Sequence, residues 1–537
     1  MNLKNNTIGI FVALLSVFGY SQEKEKPNII VIMADDHANR TISAYGSGLN
    51  NTPNIDRIAN EGALMLNSFN ANSICGPSRA SILTGKHSHL HGVMGNGFKY
   101  DNTQTTFPRE LKKNGYQTVL IGKWHLNSNP GDSFTSWKIL KGAGGQGYYY
   151  NPDFLNHNGE ISTEEGYSTD IITNYSLEWL NKNSDTPFCL FVHYKATHVP
   201  RMPEFRYLDK YTDVTFPEPE TLHDDFSTRE PYGAKAWMGV PFKPGKLYDE
   251  HDFSKNIYFD RMTVEQRKKW HAFKDKETLE ERRLTAAGKL DTKKQKRSYG
   301  YQKFIKDYIR CVDGIDDNVG RILEYLDKNP KLKENTIIIY ASDQSYFTGQ
   351  HGFAEKRFMY EDGVKMPILL RWPSKVKAGT KLTSMVQNID LGPTILDAAG
   401  LPIPEDMQGV SIKEDIITGN DVKGEKSIYY HYYDHGKHNV PRHDGVRTNQ
   451  YKLINYYTDN AYEFYDLEKD PEEVKNLYGN KKYKETIDAL KVELALKREK
   501  YEVPDEHFEA PYVSGGKKGH GKKKNKKALK RKKVFKD

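Results

Sequence analysis

The sequence has few cysteines and, beyond its first residues, no apolar run long enough to cross a membrane. Its three cysteines, Cys75, Cys189 and Cys311, can form at most one disulfide bond, so a disulfide framework cannot hold 537 residues together. A membrane-spanning helix needs roughly 20 consecutive apolar residues, and no segment after residue 18 has them. These two absences exclude a disulfide-rich module and predict a chain without a membrane span.

The body of the chain also lacks an excess of basic charge, although the formal net charge is +8. Of the 79 Lys and Arg residues, twelve lie in residues 517–537 beside one Asp, which leaves 67 basic against 70 acidic side chains in residues 1–516. A nucleic-acid-binding body is disfavoured, because such surfaces are broadly basic. We interpret residues 513–537 as a basic disordered tail, with non-specific tethering to a polyanionic glycan as the functional alternative.

The first residues are typical of an export signal. Lys4 precedes an apolar stretch at 8–18, and small or polar residues follow at Gly19 and Ser21. The stretch is too short to span a membrane, and the order of basic, apolar and small residues is that of a secretory signal peptide. We predict a signal peptide at residues 1–21 and an exported protein, periplasmic or secreted. A buried N-terminal helix is the alternative.

Short β-branched runs alternate with longer helical patterns, which indicates an α/β fold with a mostly parallel central sheet flanked by helices. Four runs are clear, at 28–34, 118–122, 188–194 and 336–341. We predict one large domain over residues 22–420. A hairpin pattern near 451–467 and a helical pattern from Tyr483 onward predict a smaller C-terminal α+β domain over residues 421–512.

Each of the four runs ends in polar side chains. These are Asp35 and Asp36; Lys123 and His125; Lys195 and His198; and Asp343 and Gln344. Ligands bind at the carboxyl ends of the strands in open α/β sheets, so we predict one shared site. Its three carboxylates and one amide carbonyl form an all-oxygen set that suits Ca²⁺, with Mg²⁺ as the alternative, and lacks the ligands that zinc prefers.

Cys75 begins a different pattern, CysGlyProSerArg followed by AlaSerIleLeuThrGly. A proline near the start of a helical pattern indicates the first turn of a helix. Backbone N–H groups at such a terminus favour an anion. Arg79 adds a guanidinium whose fork suits a tetrahedral oxyanion.

The residues at 75–84 resemble the CxPSR signature of the type I sulfatases, which belong to the alkaline-phosphatase-like superfamily. Further matching motifs follow the family's order and are AsnIleIleValIleMetAlaAspAsp (28–36), GlyLysTrpHis (122–125), SerAspGln (342–344) and LysArgPheMetTyrGluAspGlyValLysMetPro (356–367). The resemblance extends over about residues 27–500 and implies the superfamily's fold and a sulfuric ester hydrolase. Two positions depart from the usual pattern: Gln344 replaces a common Asn, and Thr197 a common Pro.

The resemblance also implies a catalytic apparatus. In this family a maturation enzyme oxidises the motif cysteine to formylglycine, so residue 75 would be an aldehyde hydrate that attacks sulfur and releases sulfate by returning to the aldehyde. The implied metal ligands are Asp35, Asp36, residue 75, Asp343 and Gln344. The other implied catalytic residues are Arg79 and Lys123 for charge stabilisation, His125 as the proton acceptor, His198 as the acid for the leaving alcohol, and Lys356 on the sulfate.

The substrate is predicted to be a sulfated carbohydrate, either an algal polysaccharide such as ulvan or a glycosaminoglycan-type glycan. The stretch 429–444 is rich in His, Arg and aromatic residues and predicts a sugar subsite, with a solvated polar loop as the alternative. The candidate ligands are Lys195, His435, His438, Arg442 and His443, although a surface salt bridge would explain Lys195 equally well. Two other functions stay open: a phosphoesterase or phosphonate monoester hydrolase of the same superfamily, and a non-catalytic polyanion-binding protein.

Overall fold

The computed structural model describes residues 26–183, 186–236, 238–240, 257–420, 425–434 and 437–509. The predicted signal peptide, the predicted basic tail and His435 lie outside these residues, as does the predicted domain boundary at 420/421. In the described part of the chain, no helix combines the length and the apolar character that crossing a bilayer requires.

Within the described residues, the larger of two sheets has ten strands. They are β1 Asn28–Ala34, β2 Ala63–Phe69, β3 Gln117–Gly122, β4 Ser136–Lys141, β5 Asp153–Asn156, β6 Ile161–Thr163, β7 Phe188–His193, β8 Thr336–Ser342, β9 Ile368–Arg371 and β10 Thr380–Gln387. Their order is β10-β2-β9-β8-β1-β7-β3-β4-β5-β6. The central strands from β8 to β4 are all parallel, whereas β9, β5 and β6 pair antiparallel. This mixed sheet confirms the predicted α/β class.

Helices cover both faces of this sheet. The helices of the described residues, of which α14 and α15 belong to the C-terminal part of the chain, are α1 Pro53–Asn60, α2 Cys75–Thr84, α3 Ser88–His91, α4 Phe107–Lys113, α5 Ser168–Lys182, α6 Tyr232–Lys235, α7 Ile257–Asp260, α8 Val264–Ala286, α9 Lys293–Asp327, α10 Pro330–Glu334, α11 Glu361–Val364, α12 Leu391–Ala398, α13 Lys413–Thr418, α14 Lys484–Lys500 and α15 Glu506–Glu509. The long α9 begins with a capping box, in which Thr292 and Gln295 bond each other's backbone N–H groups.

The central strands are apolar throughout because both of their faces are buried. In β1, Ile29 and Val31 belong to the core on one face, whereas Ile30 and Ile32 belong to the core on the other. The second of these cores includes Ile315 and other apolar residues of α9. A central strand with two buried faces therefore requires a continuous run of apolar residues, such as the β-branched run of β1.

The smaller sheet is antiparallel and lies in the C-terminal part of the chain. Its strands, in spatial order, are β11 Ser427–Tyr432, β12 His443–Thr448, β13 Tyr451–Tyr456 and β14 Ala461–Asp466. One face packs under α14 through residues such as Leu453 and Leu490. The other face, with Tyr430 and Ile454, shares a core with Phe347 and Phe358 of the large unit. The predicted hairpin and following helix are confirmed, while the predicted domain limits stay predictions.

Candidate active site

The order of the central strands brings the four polar strand ends to one edge of the sheet. Ala34 at the end of β1 pairs with Ser342 of β8, and His193 of β7 pairs with both Met33 and Gly122. The residues that follow these positions therefore emerge at the same level. Backbone hydrogen bonds continue this alignment beyond the strands. The N–H of Asp343 donates to the carbonyl of Ala34 at 3.0 Å. In the same way, the N–H groups of Asp35 and Lys123 donate to the carbonyls of Ala196 and His193 respectively.

Three carboxylates, those of Asp35, Asp36 and Asp343, meet at this edge. All three are buried, and each offers an oxygen within 4.8 Å of the others. Burial and the charge of Asp35 raise the pKa of Asp343 to about 7, which is the expected result of packing like charges away from water. A cation between them would relieve this repulsion.

The donor atoms available here fit a hard divalent cation. Among the described residues, Asp35 Oδ1 and Gln344 Oε1 are buried and accept no hydrogen bond. The Gln344 amide nitrogen donates to Asp36 Oδ1 and lies 3.2 Å from Cys75 Sγ. Rotating the amide by 180° exchanges its oxygen and nitrogen, and the carbonyl then joins the carboxylates. An oxygen-rich set of this kind suits Ca²⁺ or Mg²⁺.

Cys75 is the first residue of α2 and is fully buried. Its sulfur lies 3.3 Å from Lys356 Nζ and 3.9 Å from Asp36 Oδ1. Burial raises the pKa of the Cys75 thiol well above its usual range, although Lys356 opposes this effect. An unmodified thiol here is protonated at neutral pH and is a weak nucleophile.

Cations surround the carboxylates and Cys75. Lys356 Nζ lies 2.6 Å from Asp36 Oδ1, Lys123 forms an ion pair with Asp35, and Arg79 Nε donates to Asp343 at 3.0 Å. None of these three cationic side chains is more than 3% exposed. Because each is already paired, the arrangement is a fixed, neutralised cluster rather than a basic surface.

Lys195 is the exception among the cations at this edge. It is fully buried, and its Nζ makes no hydrogen bond within the part of the chain that the structure describes. It lies 5.0 Å from the ring centroid of Tyr149 and 5.7 Å from that of Tyr258. Burial, followed by the charge of Lys123, lowers its pKa to about 7. Lys195 is therefore not in a surface salt bridge, and its ammonium group could form an ion pair with a bound anion.

Both predicted histidines border the cluster. His198 Nε2 lies 4.0 Å from Asp36 Oδ2, while its Nδ1 is 2.8 Å from the carbonyl of Val199. Donation from Nδ1 to that carbonyl leaves Nε2 as the nitrogen that faces the site. His125 is buried and lies 2.8 Å from the Gln146 amide nitrogen. Burial lowers the pKa of both histidines, with Lys123 as the next cause.

Sequence reasoning did not predict how other residues support these side chains. Thr197, at the position where the family often has proline, donates its hydroxyl to the Asp36 carbonyl at 2.9 Å, and the hydroxyl of Tyr308 donates to the same oxygen at 2.5 Å. Asn96 Oδ1 accepts the N–H of Gly76, next to Cys75, at 3.0 Å. Gln146 lies in the glycine-rich stretch GlyAlaGlyGlyGlnGly, and all four of its glycines have positive φ. This richness in glycine could have indicated a loop whose backbone conformation other residues rarely adopt.

The predicted sugar ligands have mixed placements. His443 is fully buried on β12, where its ring stacks on Phe358 and Tyr430. Arg442 donates to the carbonyl of His507 at 3.1 Å. His438 is half-buried in a short turn. The structure does not place Arg442 and His443 among the residues around Cys75, because Arg442 packs within the small domain and His443 in the core that the two domains share. Their role as sugar ligands stays a prediction.

Sequence and structure comparisons bear on this site. The chain matches the family described as Sulfatase over residues 27–401 and the one described as N-sulphoglucosamine sulphohydrolase, C-terminal, over residues 349–500. It is 40% identical over 505 residues to N-acetylglucosamine-6-O-sulfatase of Bacteroides thetaiotaomicron, covering 90% of this chain and 89% of that protein. An ulvan-active sulfatase of Formosa agariphila is 25% identical over 513 residues, covering 87% and 78% respectively.

A solved structure, of a protein in complex with its substrate D-glucosamine-2-N,6-O-disulfate, has a TM-score of 0.85 and 39% identity. The match covers 90% of this chain and 99% of that one. Together with the ordered motifs, the family match over most of the chain confirms the resemblance found in the sequence. The chain belongs to the sulfatase family, and it is a sulfuric ester hydrolase with the alkaline-phosphatase-like fold.

Proposed function

We propose that this protein removes the 6-O-sulfate from glucosamine residues, N-acetylated or N-sulfated, of a glycosaminoglycan-type glycan. The observation that carries the proposal is the 40% identity, over nine-tenths of the chain, to an N-acetylglucosamine-6-O-sulfatase. The match to an ulvan-active sulfatase is much lower at 25%, so we favour glucosamine over ulvan. The signal-like pattern at 1–21 supports the further proposal that the enzyme is exported.

The proposed chemistry depends on two groups that this chain would hold at the Cys75 centre. Formylglycine, made from Cys75 by a maturation enzyme, would supply as its hydrate one hydroxyl for attack on sulfur and a second whose deprotonation restores the aldehyde, so that the first oxygen departs with the sulfate. A divalent cation, Ca²⁺ or Mg²⁺, supplies Lewis-acid polarisation of the sulfate. The residues that would hold this cation are Asp35, Asp36, residue 75, Asp343 and Gln344.

The surrounding cations bind and orient the sulfate in this proposal. Lys123, Lys356 and Arg79 are held by carboxylates in a buried site, so their charges need no reorganisation when negative charge develops on the sulfate oxygens. Lys195 adds a cation that is not paired with any carboxylate of the described residues. Burial of these groups strengthens each interaction relative to water.

The two histidines move protons. His198 Nε2 faces Asp36 and donates a proton to the leaving sugar oxygen, while its Nδ1 stays bonded to Val199. Burial lowers its pKa in the substrate-free protein, and the negative sulfate ester beside it acts in the opposite direction. His125, whose ring contacts Gln146, accepts a proton when sulfate is released.

A substrate panel tests the proposed function. We expect kcat/KM for N-acetylglucosamine 6-sulfate to exceed that for sulfated ulvan oligosaccharides by at least about 100-fold, because a pocket built for one sugar leaves polar groups unpaired with another. The kcat/KM for the matched phosphate ester, N-acetylglucosamine 6-phosphate, should also be lower than that for the 6-sulfate. Faster turnover of the phosphate would assign the protein to the phosphoesterase alternative. Absence of turnover with the fully matured enzyme would favour the non-catalytic alternative.

Replacing Lys195 tests whether this lysine binds the sulfate. In Lys195→Met we expect KM to rise about 10- to 100-fold, the effect of losing one charged hydrogen bond. The melting temperature should stay the same or rise, since methionine removes an unpaired buried charge. Steady-state kinetics and thermal unfolding measure the two quantities. Lys182→Met, at an exposed lysine paired with Glu178, is the matched control. A lower melting temperature with unchanged KM would make Lys195 structural.

A further inference from the structure

One segment of the large domain carries positive charge that the proposed chemistry does not use. It consists of α8, the loop after it and the first residues of α9, residues 264–297, and we call it the basic hairpin. It contains twelve Lys and Arg against six Asp and Glu. The rest of residues 1–516 contains 55 basic against 64 acidic side chains. The basic hairpin is therefore a positive segment on a body that is otherwise negative.

The two helices pack antiparallel, and ion pairs between them lie on the inner face of the hairpin. Lys274 Nζ lies 2.9 Å from Glu277 Oε2 and 3.5 Å from Asp307 Oδ2. Lys303 Nζ lies 3.3 Å from the same glutamate oxygen. Glu281, one turn further along α8, is 7% exposed. Two of the six acidic side chains of the hairpin are thus on its inner face, which leaves the outer face more positive.

The outer face of the basic hairpin is exposed and carries nine Lys or Arg side chains against four acidic ones. Arg283 pairs with Glu280, and Lys276 lies 3.8 Å from Asp209. Such exposed pairs contribute little and are screened by salt. Four exposed members of this face form no ion pair within the described residues, and they are Arg267, Lys268, Arg282 and Lys294. Their charge is available to an anionic partner.

The basic hairpin begins beside the active site. In the first turn of α8, Gln266 Oε1 accepts a hydrogen bond from Asn151 Nδ2 at 2.7 Å. Two residues before Asn151 is Tyr149, whose ring centroid is 5.0 Å from Lys195 Nζ and whose hydroxyl donates to the carbonyl of His198. From there α8 continues for 23 residues, roughly 34 Å at 1.5 Å per residue. A linear molecule that lies along α8 therefore reaches the neighbourhood of the active site.

The composition of the outer face indicates which anionic partner it fits. A helix that binds a membrane surface needs a continuous apolar face. The apolar side chains Trp270 and Phe273 of α8 are buried in the protein, and only Val264 and Leu279 are large, apolar and exposed on this helix. Basic side chains distributed along a rod suit a linear polyanion, whose charges repeat along its length. A sulfatase that acts on glycans meets such a polyanion as its substrate.

We propose that the basic hairpin binds sulfated glycan chains outside the active site and holds them while the Cys75 centre acts on one of their sugars. The inference rests on the proposed function only in that the occupant is the polymeric form of the substrate. Binding at the hairpin raises the effective concentration of sulfated sugars at the centre. A monosaccharide gains nothing from the hairpin, because it is too short to reach both places.

Neutralising the outer face tests the proposal. A variant that combines Arg267→Gln, Lys268→Gln, Arg282→Gln and Lys294→Gln removes four exposed charges, and glutamine is a good helix former. In a Cys75→Ala background, which prevents turnover, we expect the Kd for heparin, a sulfated glycosaminoglycan, to rise about 10-fold or more. The slope of log Kd against log salt concentration should fall by roughly two to four, because each lost contact releases about one counterion fewer. Titration calorimetry at several salt concentrations measures both quantities.

Kinetics separate the hairpin from the active centre. In the matured enzyme, the same four substitutions should lower kcat/KM about 10-fold on a long chain that contains glucosamine 6-sulfate. On N-acetylglucosamine 6-sulfate, kcat/KM should change less than about twofold, since distant sites act independently. Equal loss on the chain and on the monosaccharide would refute the proposal, and an unchanged Kd for heparin would refute it as well.

A control variant makes the same change in net charge at the opposite edge of the sheet. Lys328→Gln, Lys331→Gln, Lys375→Gln and Lys381→Gln alter exposed side chains before β8 and at the beginning of β10, where the strands of the large sheet start. The Kd for heparin should stay within about twofold of the wild type. A loss equal to that of the hairpin variant would mean that only net charge matters, which contradicts the proposal.

The remaining outcomes are also decisive. Thermal unfolding checks that both variants fold, and Lys268→Gln with Arg282→Gln is a milder hairpin variant for the same measurements. Tighter hairpin-dependent binding to phosphatidylserine vesicles than to heparin would assign the surface to a membrane and overturn the proposal. If the wild type does not act on glucosamine 6-sulfate, the proposed function fails, and the heparin comparison, which needs no turnover, still decides the role of the basic hairpin.

Discussion

Cys75→Ala is expected to lower kcat by at least about 10⁴-fold, because the variant lacks the nucleophile that all other groups serve. The fold should remain, since replacing one buried sulfur costs about 1 kcal/mol of unfolding free energy. Turnover of a sulfate ester, circular dichroism and thermal unfolding of the purified variant measure both effects. Substantial activity in Cys75→Ala would refute the assignment of the nucleophile.

The chain contains a matched control for this variant. Cys189 is also fully buried, but it lies within β7 in the apolar core. Cys189→Ala should show a similar loss of stability and keep its activity. Mass spectrometry of the peptide that contains residue 75 should detect conversion of the thiol to an aldehyde when the protein is made in a host with the maturation enzyme. Unmodified cysteine in fully active protein would contradict the formylglycine proposal.

Removal of the proposed cation should have the second-largest effect, with kcat/KM falling about 10³-fold after chelation. Asp35, Asp36 and Asp343 remain close together and buried, so without the cation their repulsion destabilises the folded state and the sulfate loses its polarising partner. The melting temperature should fall as well, because an ion that binds only the folded state stabilises it. Adding back Ca²⁺ or Mg²⁺ in turn identifies the ion that restores both quantities.

Two variants test whether the cation stabilises the protein by binding at the three carboxylates. In Asp343→Asn, the rise in melting temperature on adding the cation should be largely lost. Asp316→Asn is the matched control, since Asp316 is a buried aspartate that instead accepts the N–H groups of Asn54 and Ile55. This control should keep the response to the cation even if its stability is lower. Full activity in protein shown by elemental analysis to contain no divalent metal would exclude the proposed metal site.

Much of the fold could be predicted because its central strands are buried on both faces. The runs at 28–34, 118–122, 188–194 and 336–341 correspond to β1, β3, β7 and β8, which are neighbours in the sheet. The antiparallel strands on either side of them were not predicted. Strands such as β6, where Ile161 is 64% exposed, are short and carry little hydrophobic pattern, so their pairing depends on the rest of the sheet.

The stretch 429–444 illustrates what composition cannot decide. Its histidines and arginine suggested a sugar subsite, yet His443 alternates inward on β12 and stacks in the core, whereas the carboxylate of Asp434 lies against Gly95. A strand places successive side chains on opposite faces. Which face meets the large domain depends on packing between residues that are hundreds of positions apart.

The sequence by itself determined the family, the α/β class and the polar residues at the strand ends, because motif order and hydrophobic periodicity are local properties of the chain. Only the tertiary structure decided which charges are paired. It joined Lys123, Lys356 and Arg79 to carboxylates and, within the described residues, left Lys195 Nζ without a hydrogen-bond partner. Ion pairing and burial depend on distances between remote segments, and those distances exist only once the sheet has ordered its strands.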